Sequence, residues 1–487
     1  MKINEWKLYQ KEDDSFENNE KHYINKTSDF HRKNLENIFN SNSFKEHVLC
    51  VGQVQSGKTK NIENVIDYAI KNKYKLIIVF SGITKILFNQ TNARINNFDY
   101  AKNIKFIEFI KNTNLIVSLE NNDTVILSIL KSSDSIATIF EEIDLINWEN
   151  YKVLIVDDEC DYASINISPD ETSRIYDLIS NLYNRFYYVK LLSFTGTPFA
   201  NIMSSNSKDL HVDRVVTLLN YDNYCGIKFF NENANYNYVP LDLNKEKLEY
   251  KHFYSIFWYW LTQTACALVE NSEFKSELIV NIEVENSDQQ EIFSYLRDAF
   301  FEIRKDIRNE KSSKDKINSI VKKLKLEQDN IDLIKEKIYF VLREVNKNLK
   351  SSFILLNSES LNKNFKSGTV QFCVIVGGFM ISRGFTFENL TTEFFLNVPK
   401  SDSTKISVDT LLQRCRWFGN RKKDNRNKFL RIVMNNRILE ALKSAQDYVE
   451  VFVPGTSTSN IGAIYKKIKE LDEFNEIVGS TNATKRK

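Results

Sequence analysis

Residues 48–59 read VLCVGQVQSGKT, an apolar run that ends in a complete GxxxxGK[ST] pattern from Gly52 to Thr59. No other feature limits the fold as tightly, because the pattern works only as a strand, a glycine loop and a helix in succession. Glycine is scarce, 13 in 487 residues, so two glycines at this spacing carry weight. The amphipathic run from Asn61 to Ile70 supplies the helix. Gly52 and Gly57 let successive backbone N–H groups curl around a phosphate chain, with Gln55 and Ser56 completing the loop. Lys58 is spaced to reach the β- and γ-phosphates, and the Thr59 hydroxyl to bind Mg²⁺. The loop predicts a protein that binds a nucleoside triphosphate.

The rest of the chain does not contradict that reading. Its 487 residues allow two to four domains, and 42% hydrophobic with 27% charged residues describes an ordinary globular protein. A net charge of +2 lends no overall support to nucleic-acid binding, so any basic face must be local. Cys50, Cys160, Cys225, Cys266, Cys373 and Cys415 contain no CxxC pair, and the histidines make no metal pattern with them. Reduced, buried thiols in a cytoplasmic protein are expected. The polar start MKINEWKLYQKEDD does not read as a signal peptide. Phe253 to Val269, the most apolar stretch, carries Thr262, Gln263 and Thr264 and reads as a buried helix, so no membrane partner is expected.

Residues 1–45 read as a helical N-terminal extension. From 46 to 235 apolar runs (VLCVG, KLIIVF, TVILSIL, KVLIVDD, KLLSFTG) alternate with helical patterns, which indicates a parallel sheet covered on both faces. A helical linker is expected at 236–270. A second α/β block follows at 271–455, with runs ELIVNIE, VQFCVIVGG, TEFFLNV and KFLRIVM and a Lys/Glu-rich helical insertion at about 286–350. Residues 456–487 read as a C-terminal tail.

Three further segments stand at strand ends. Asp157-Asp158-Glu159-Cys160-Asp161 follows one apolar run. A carboxylate there can hold Mg²⁺, and an adjacent glutamate can polarise the attacking water. Asp158 is assigned to the metal and Glu159 to the water, with Asp157 as the alternative metal partner. Ser193-Phe194-Thr195-Gly196-Thr197-Pro198 ends another run and could couple the nucleotide site to its neighbours. In the second block, Ser382-Arg383-Gly384 and the arginines Arg414, Arg416 and Arg421 are far in sequence from the loop, where arginines can serve as fingers on the γ-phosphate.

In order, GQVQSGKT, DDECD, SFTGTP, ISRGFT and QRCRWFGNR resemble the motif set of superfamily 2 helicases and translocases. More narrowly, GGFMISRGFTFENLT followed by DTLLQRCRWFGNR resembles the Z1 domain family, helicase-like proteins of bacterial restriction and phage-defence loci that are sometimes labelled endonucleases. The resemblance implies two RecA-like parallel-sheet domains (α/β), ATP with Mg²⁺ at their interface, and nucleic acid across both, DNA in preference to RNA. Other subunits of a defence or restriction complex are implied partners. It makes Lys58, Asp158, Glu159, Arg416 and Arg421 catalytic, with Thr59 and Asp158 at the metal. Gly384 would contact nucleotide, and Thr195, Thr197, Arg383 and Gln413 would couple. Three positions depart from the pattern. Thr386 stands where an acidic residue is usual, Arg416 and Arg421 are spaced more widely than is common, and Cys415 replaces a frequent glycine. The expected function is a nucleic-acid-dependent ATPase of helicase or translocase type in anti-phage defence or restriction. The alternatives are an endonuclease component and an ATP-gated nucleic-acid sensor without motor activity. Candidate strand contacts are Ser81-Gly82-Ile83-Thr84 and Lys131-Ser132-Ser133, while Trp417 and Phe418 are read as core.

Overall fold

The computed structural model describes residues 19–481, leaving out 42, 83–84, 97–103, 109–114, 162–172, 205–209, 242–247, 282–285, 358–366, 379–380, 382–385, 396–404 and 422–425. Two compact units result. One runs to Asp222 and regains Phe452–Lys466; the other is Asn223–Val451 together with Lys467–Asn482.

The first unit holds β1 (Lys45–Val51), β2 (Leu76–Phe80), β3 (Ile104–Glu108), β4 (Thr124–Ile129), β5 (Lys152–Asp158), β6 (Tyr188–Thr195) and β7 (Arg214–Thr217). They form one parallel sheet in the order β7-β1-β6-β5-β2-β4-β3. The apolar runs are continuous because both faces are covered. Leu76, Ile78 and Phe80 join one core while Ile77 and Val79 join the other. Strands β3 and β7 were not legible in the sequence; β7 is four residues long and β3 is half-exposed along its length. Parallel pairing brings the C-terminal ends of β1, β6 and β5 to one edge, with Val51 beside Thr195 and Asp158 beside Phe194. That edge is where an open α/β sheet binds its ligands.

The second unit holds β8 (Tyr224–Cys225), β9 (Tyr238–Leu241), β10 (Ser276–Asn281), β11 (Phe353–Leu356), β12 (Phe372–Gly377), β13 (Leu390–Phe395), β14 (Ile406–Ser407), β15 (Gly419–Asn420) and β16 (Arg431–Asn435). Its parallel sheet runs β11-β12-β10-β13-β16-β9. Of the remaining strands, β17 (Ser457–Thr458) pairs antiparallel with β7 in the first unit, and β18 (Val478–Gly479) pairs with β14. Residues 457–479, expected as tail, thus add strands and the helix Ile461–Phe474.

The segment 236–270, expected as a linker, belongs to the second unit. Its helix Tyr250–Glu270 buries Phe257, Trp258, Trp260 and Leu261, and the Trp260 indole N–H donates to Ser276 Oγ at 2.7 Å. The insertion forms helices Asn286–Asp306, Glu310–Lys323 and Ile331–Lys347, whose Phe300, Ile317 and Ile338 share that core. The Lys/Glu richness seen in the sequence is their outer face. Among the described residues no helix is long and apolar enough to cross a membrane.

Candidate nucleotide site

The glycine loop leaves β1 at Val51 and enters the helix Lys58–Lys71. Gln55 and Gly57 take left-handed backbone angles, φ 59° and 93°, and Ser56 N–H donates to Gln53 O at 3.0 Å to close a turn. No side chain caps the helix start, which leaves its first N–H groups for an anion. The glycines make room for the lysine. A methyl group on Gly52 would stand 2.8 Å from Lys58 Cγ, and one on Gly196 would stand 3.0 Å from Lys58 Nζ. Lys58 therefore runs across both glycines from its own loop to the turn after β6.

Gly57 faces a residue the sequence did not flag. A methyl there would lie 3.0 Å from the Tyr221 ring, which stacks on Phe30 at 4.7 Å. The helix Asn19–Phe39 thereby closes on the loop. His31 Nε2 pairs with the Tyr221 hydroxyl at 3.0 Å, and Asn34 donates to Asn61 Oδ1 at 2.9 Å. Burial, aided by the charge of Lys60, lowers His31 to about 4, so it is neutral at physiological pH.

At the end of β5 the three acidic residues divide. Asp157 is 2% exposed and its Oδ1 lies 2.5 Å from the Nζ of Lys131, whose side chain is fully buried. Burial opposes the charge of Lys131, but the Asp157 carboxylate outweighs it and holds the ammonium above its usual range. Of the two metal candidates, Asp157 is thus the one whose carboxylate is paired with a buried cation. Asp158 and Glu159 are half-buried at the strand end. Burial raises the Asp158 carboxyl to about 7; the charge of Glu159 adds to the rise, and Lys58 opposes it. Glu159 has a left-handed backbone, φ 52°, and its N–H donates to Asp158 Oδ1 at 3.1 Å.

Thr195, expected to couple, bonds the acidic turn, and Thr197 bonds Thr195. Thr195 Oγ1 donates to Asp161 Oδ1 at 2.8 Å and accepts from Thr197 N–H at 2.9 Å. Asp161 was visible within DDECD but had no assigned role. Thr59 Oγ1 accepts from Arg94 at 3.4 Å. The Thr59 hydroxyl and the Asp158 carboxylate are hard oxygen donors, which suits Mg²⁺, an ion that takes few protein ligands and completes its shell with phosphates and water. Among the described residues no three His, Cys, Asp or Glu side chains gather as a separate metal centre.

Two expected strand contacts face inward instead. Ser81 is fully buried with its hydroxyl 3.0 Å from Ser128 Oγ, and Lys131 lies beneath the acidic turn. A strand-end residue can point into the sheet as readily as out of it, and sequence spacing does not distinguish the two. Ile83 and Thr84 fall outside the described residues, as do Arg383 and Gly384.

In the second unit, Gln413 lies in the helix Val408–Arg414, and its carbonyl accepts from Arg416 Nη2. Arg421 Nη2 donates to the carbonyls of Phe387, at 3.0 Å, and Arg416, at 3.2 Å. Both finger candidates are buried, and these bonds tie each guanidinium to backbone carbonyls of its own unit. Trp417 packs on Phe395 and Phe418 on Phe230, as the core reading expects. Cys415 is buried with Sγ against Leu411 O at 3.2 Å, which explains how a thiol fits where glycine is frequent.

Residues 253–453 match the Z1 domain family. No curated protein sequence matches the chain. Among solved structures, S. cerevisiae Dbp5 bound to RNA and ADP BeF3 is 12% identical with a TM-score of 0.46, over 92% of this chain and 95% of that one. Mss116p bound to ssRNA and AMP-PNP is 11% identical at TM-score 0.46, over 94% and 82%. The ATP-dependent Type ISP restriction-modification enzyme LlaBIII bound to DNA is 12% identical at TM-score 0.44, over 93% and 33%.

Proposed function

We propose that this chain, whose residues 253–453 match the Z1 domain family, is a nucleic-acid-dependent ATPase of helicase or translocase type. The observation that carries the ATPase reading is the shared edge of β1, β6 and β5, where the glycine loop, the threonine turn and the acidic turn stand in adjacent register. Nucleic-acid dependence rests on the five ordered motifs and their resemblance to superfamily 2. DNA is the preferred strand. A cytoplasmic role beside other subunits of an anti-phage or restriction system is part of the same reading.

In this proposal the amides of residues 52–59 and Lys58 hold the phosphates of ATP. Thr59 and Asp158 would hold Mg²⁺, which neutralises charge on the β- and γ-phosphates. Glu159 orients the attacking water and accepts its proton. Thr195 and Thr197 pass the state of the acidic turn to the rest of their unit through Asp161. Arg416 and Arg421 are the finger candidates, with Arg383, Gly384 and Gln413 in coupling.

The test is ATP turnover across single- and double-stranded DNA and RNA, for the wild type and Lys58→Ala. We expect one nucleic-acid class to raise the wild-type rate about tenfold or more, and Lys58→Ala to remove turnover. Equal rates on every nucleic acid would sink the nucleic-acid dependence, and turnover retained in Lys58→Ala would sink the site.

A further inference from the structure

Lys131 stands in the turn between β4 and the helix Ser133–Ile143, where sequence spacing places it among surface contacts. It is instead one of the largest fully buried side chains of the chain. The turn is held rigidly. Lys131 N–H donates to Gly82 O at 3.1 Å, and the next residue, Ser132, caps the helix through Ser135 N–H. From this fixed base Nζ forms an ion pair with Asp157 Oδ1 at 2.5 Å and donates to Asp158 O at 2.5 Å and Glu159 O at 3.1 Å.

Two hydrogen bonds and one ion pair from a single ammonium thus hold three consecutive residues. Glu159 carries a left-handed backbone that a non-glycine residue adopts only when its surroundings impose it. Besides Lys131, the neighbouring Cys160 N–H bonds Phe194 O at 3.0 Å and fixes the far side of the turn. The geometry points to Lys131 as a positioning residue of the hydrolytic site: its ammonium pins the carbonyls of Asp158 and Glu159, and so aims both carboxylates. Asp157 supplies the buried counter-charge that lets an ammonium sit there. The inference rests on the ATPase reading above.

Deleting the lysine alone would strand Asp157, so the test removes both charges. Lys131→Met with Asp157→Asn has neither charge nor a donor to the carbonyls; Lys131→Gln with Asp157→Asn keeps an amide donor. Urea unfolding, affinity for a non-hydrolysable ATP analogue and turnover are measured for both and for the wild type. We expect the methionine pair to unfold near the wild-type midpoint and bind the analogue within about threefold. Its turnover should fall tenfold or more, with the glutamine pair recovering a substantial part. Equal turnover in the methionine pair and the wild type overturns the proposal. So does failure of both pairs to fold, which would make Lys131 a structural anchor. A wild-type chain that hydrolyses no ATP overturns the ATPase reading itself, a distinct outcome.

Discussion

Both units bury a carboxylate near the C-terminal end of a parallel strand, and they stabilise it in opposite ways. Asp157 on β5 has the Lys131 ammonium 2.5 Å away. Glu393 on β13 is fully buried, and only one of its oxygens has a hydrogen-bond partner among the described residues, from Asn281 at 3.1 Å. Burial raises Glu393 to about 8, against the charges of Arg416 and Arg421, so at neutral pH it is largely protonated. One site keeps its charge by pairing it and the other sheds its charge by holding a proton. The paired site can therefore organise a charged turn, whereas the protonated one serves its own unit as a neutral hydrogen-bonding group.

Replacing carboxylates by their amides separates the roles. Glu159→Gln has the largest expected effect: turnover falls about 100-fold or more while ATP binding and the unfolding midpoint stay near wild type. A normal rate in that variant would move the water-orienting group elsewhere. Asp157→Asn leaves the buried Lys131 without its counter-charge, at a cost of about 3 kcal/mol in urea unfolding. A change below about 1 kcal/mol would mean that the pair is weaker than its geometry implies.

The effect of Glu393→Gln depends on pH. The folded carboxyl titrates near 8 and the unfolded one near 4.5. As pH rises from 4.5 toward 8, the unfolded chain ionises first, and the wild type loses stability relative to its value in acid. The amide variant lacks this loss, so its unfolding midpoint should gain on the wild type across that window and then hold level. Parallel midpoints from pH 5 to 9 would place the Glu393 carboxyl in its ordinary range.

The nucleotide loop, the acidic turn, the threonine turn and the long apolar strands were all legible in the sequence. Each combines a local backbone demand with a local pattern: Gly52 and Gly57 for the loop, continuous apolar runs for strands covered on two faces. The short strands β3 and β7 were not, because β3 is half-exposed and lacks a continuous apolar run, and β7 is only four residues long. Nor was the role of helix Tyr250–Glu270, whose apolar surface says that it is buried but not in which core.

Sequence alone determined that a GxxxxGK[ST] loop and an acidic strand end share this chain, since spacing and residue type suffice for both. Only the tertiary structure decided how DDECD is divided. Asp157 turns inward to Lys131, Asp158 and Glu159 remain half-buried at the strand end, and Asp161 binds Thr195. The same holds for Lys131, placed by spacing on the surface and by the fold beneath the acidic turn. Direction at a strand end is set by what packs on either face, and the bonding partners of the acidic turn come from 27 to 34 positions away along the chain.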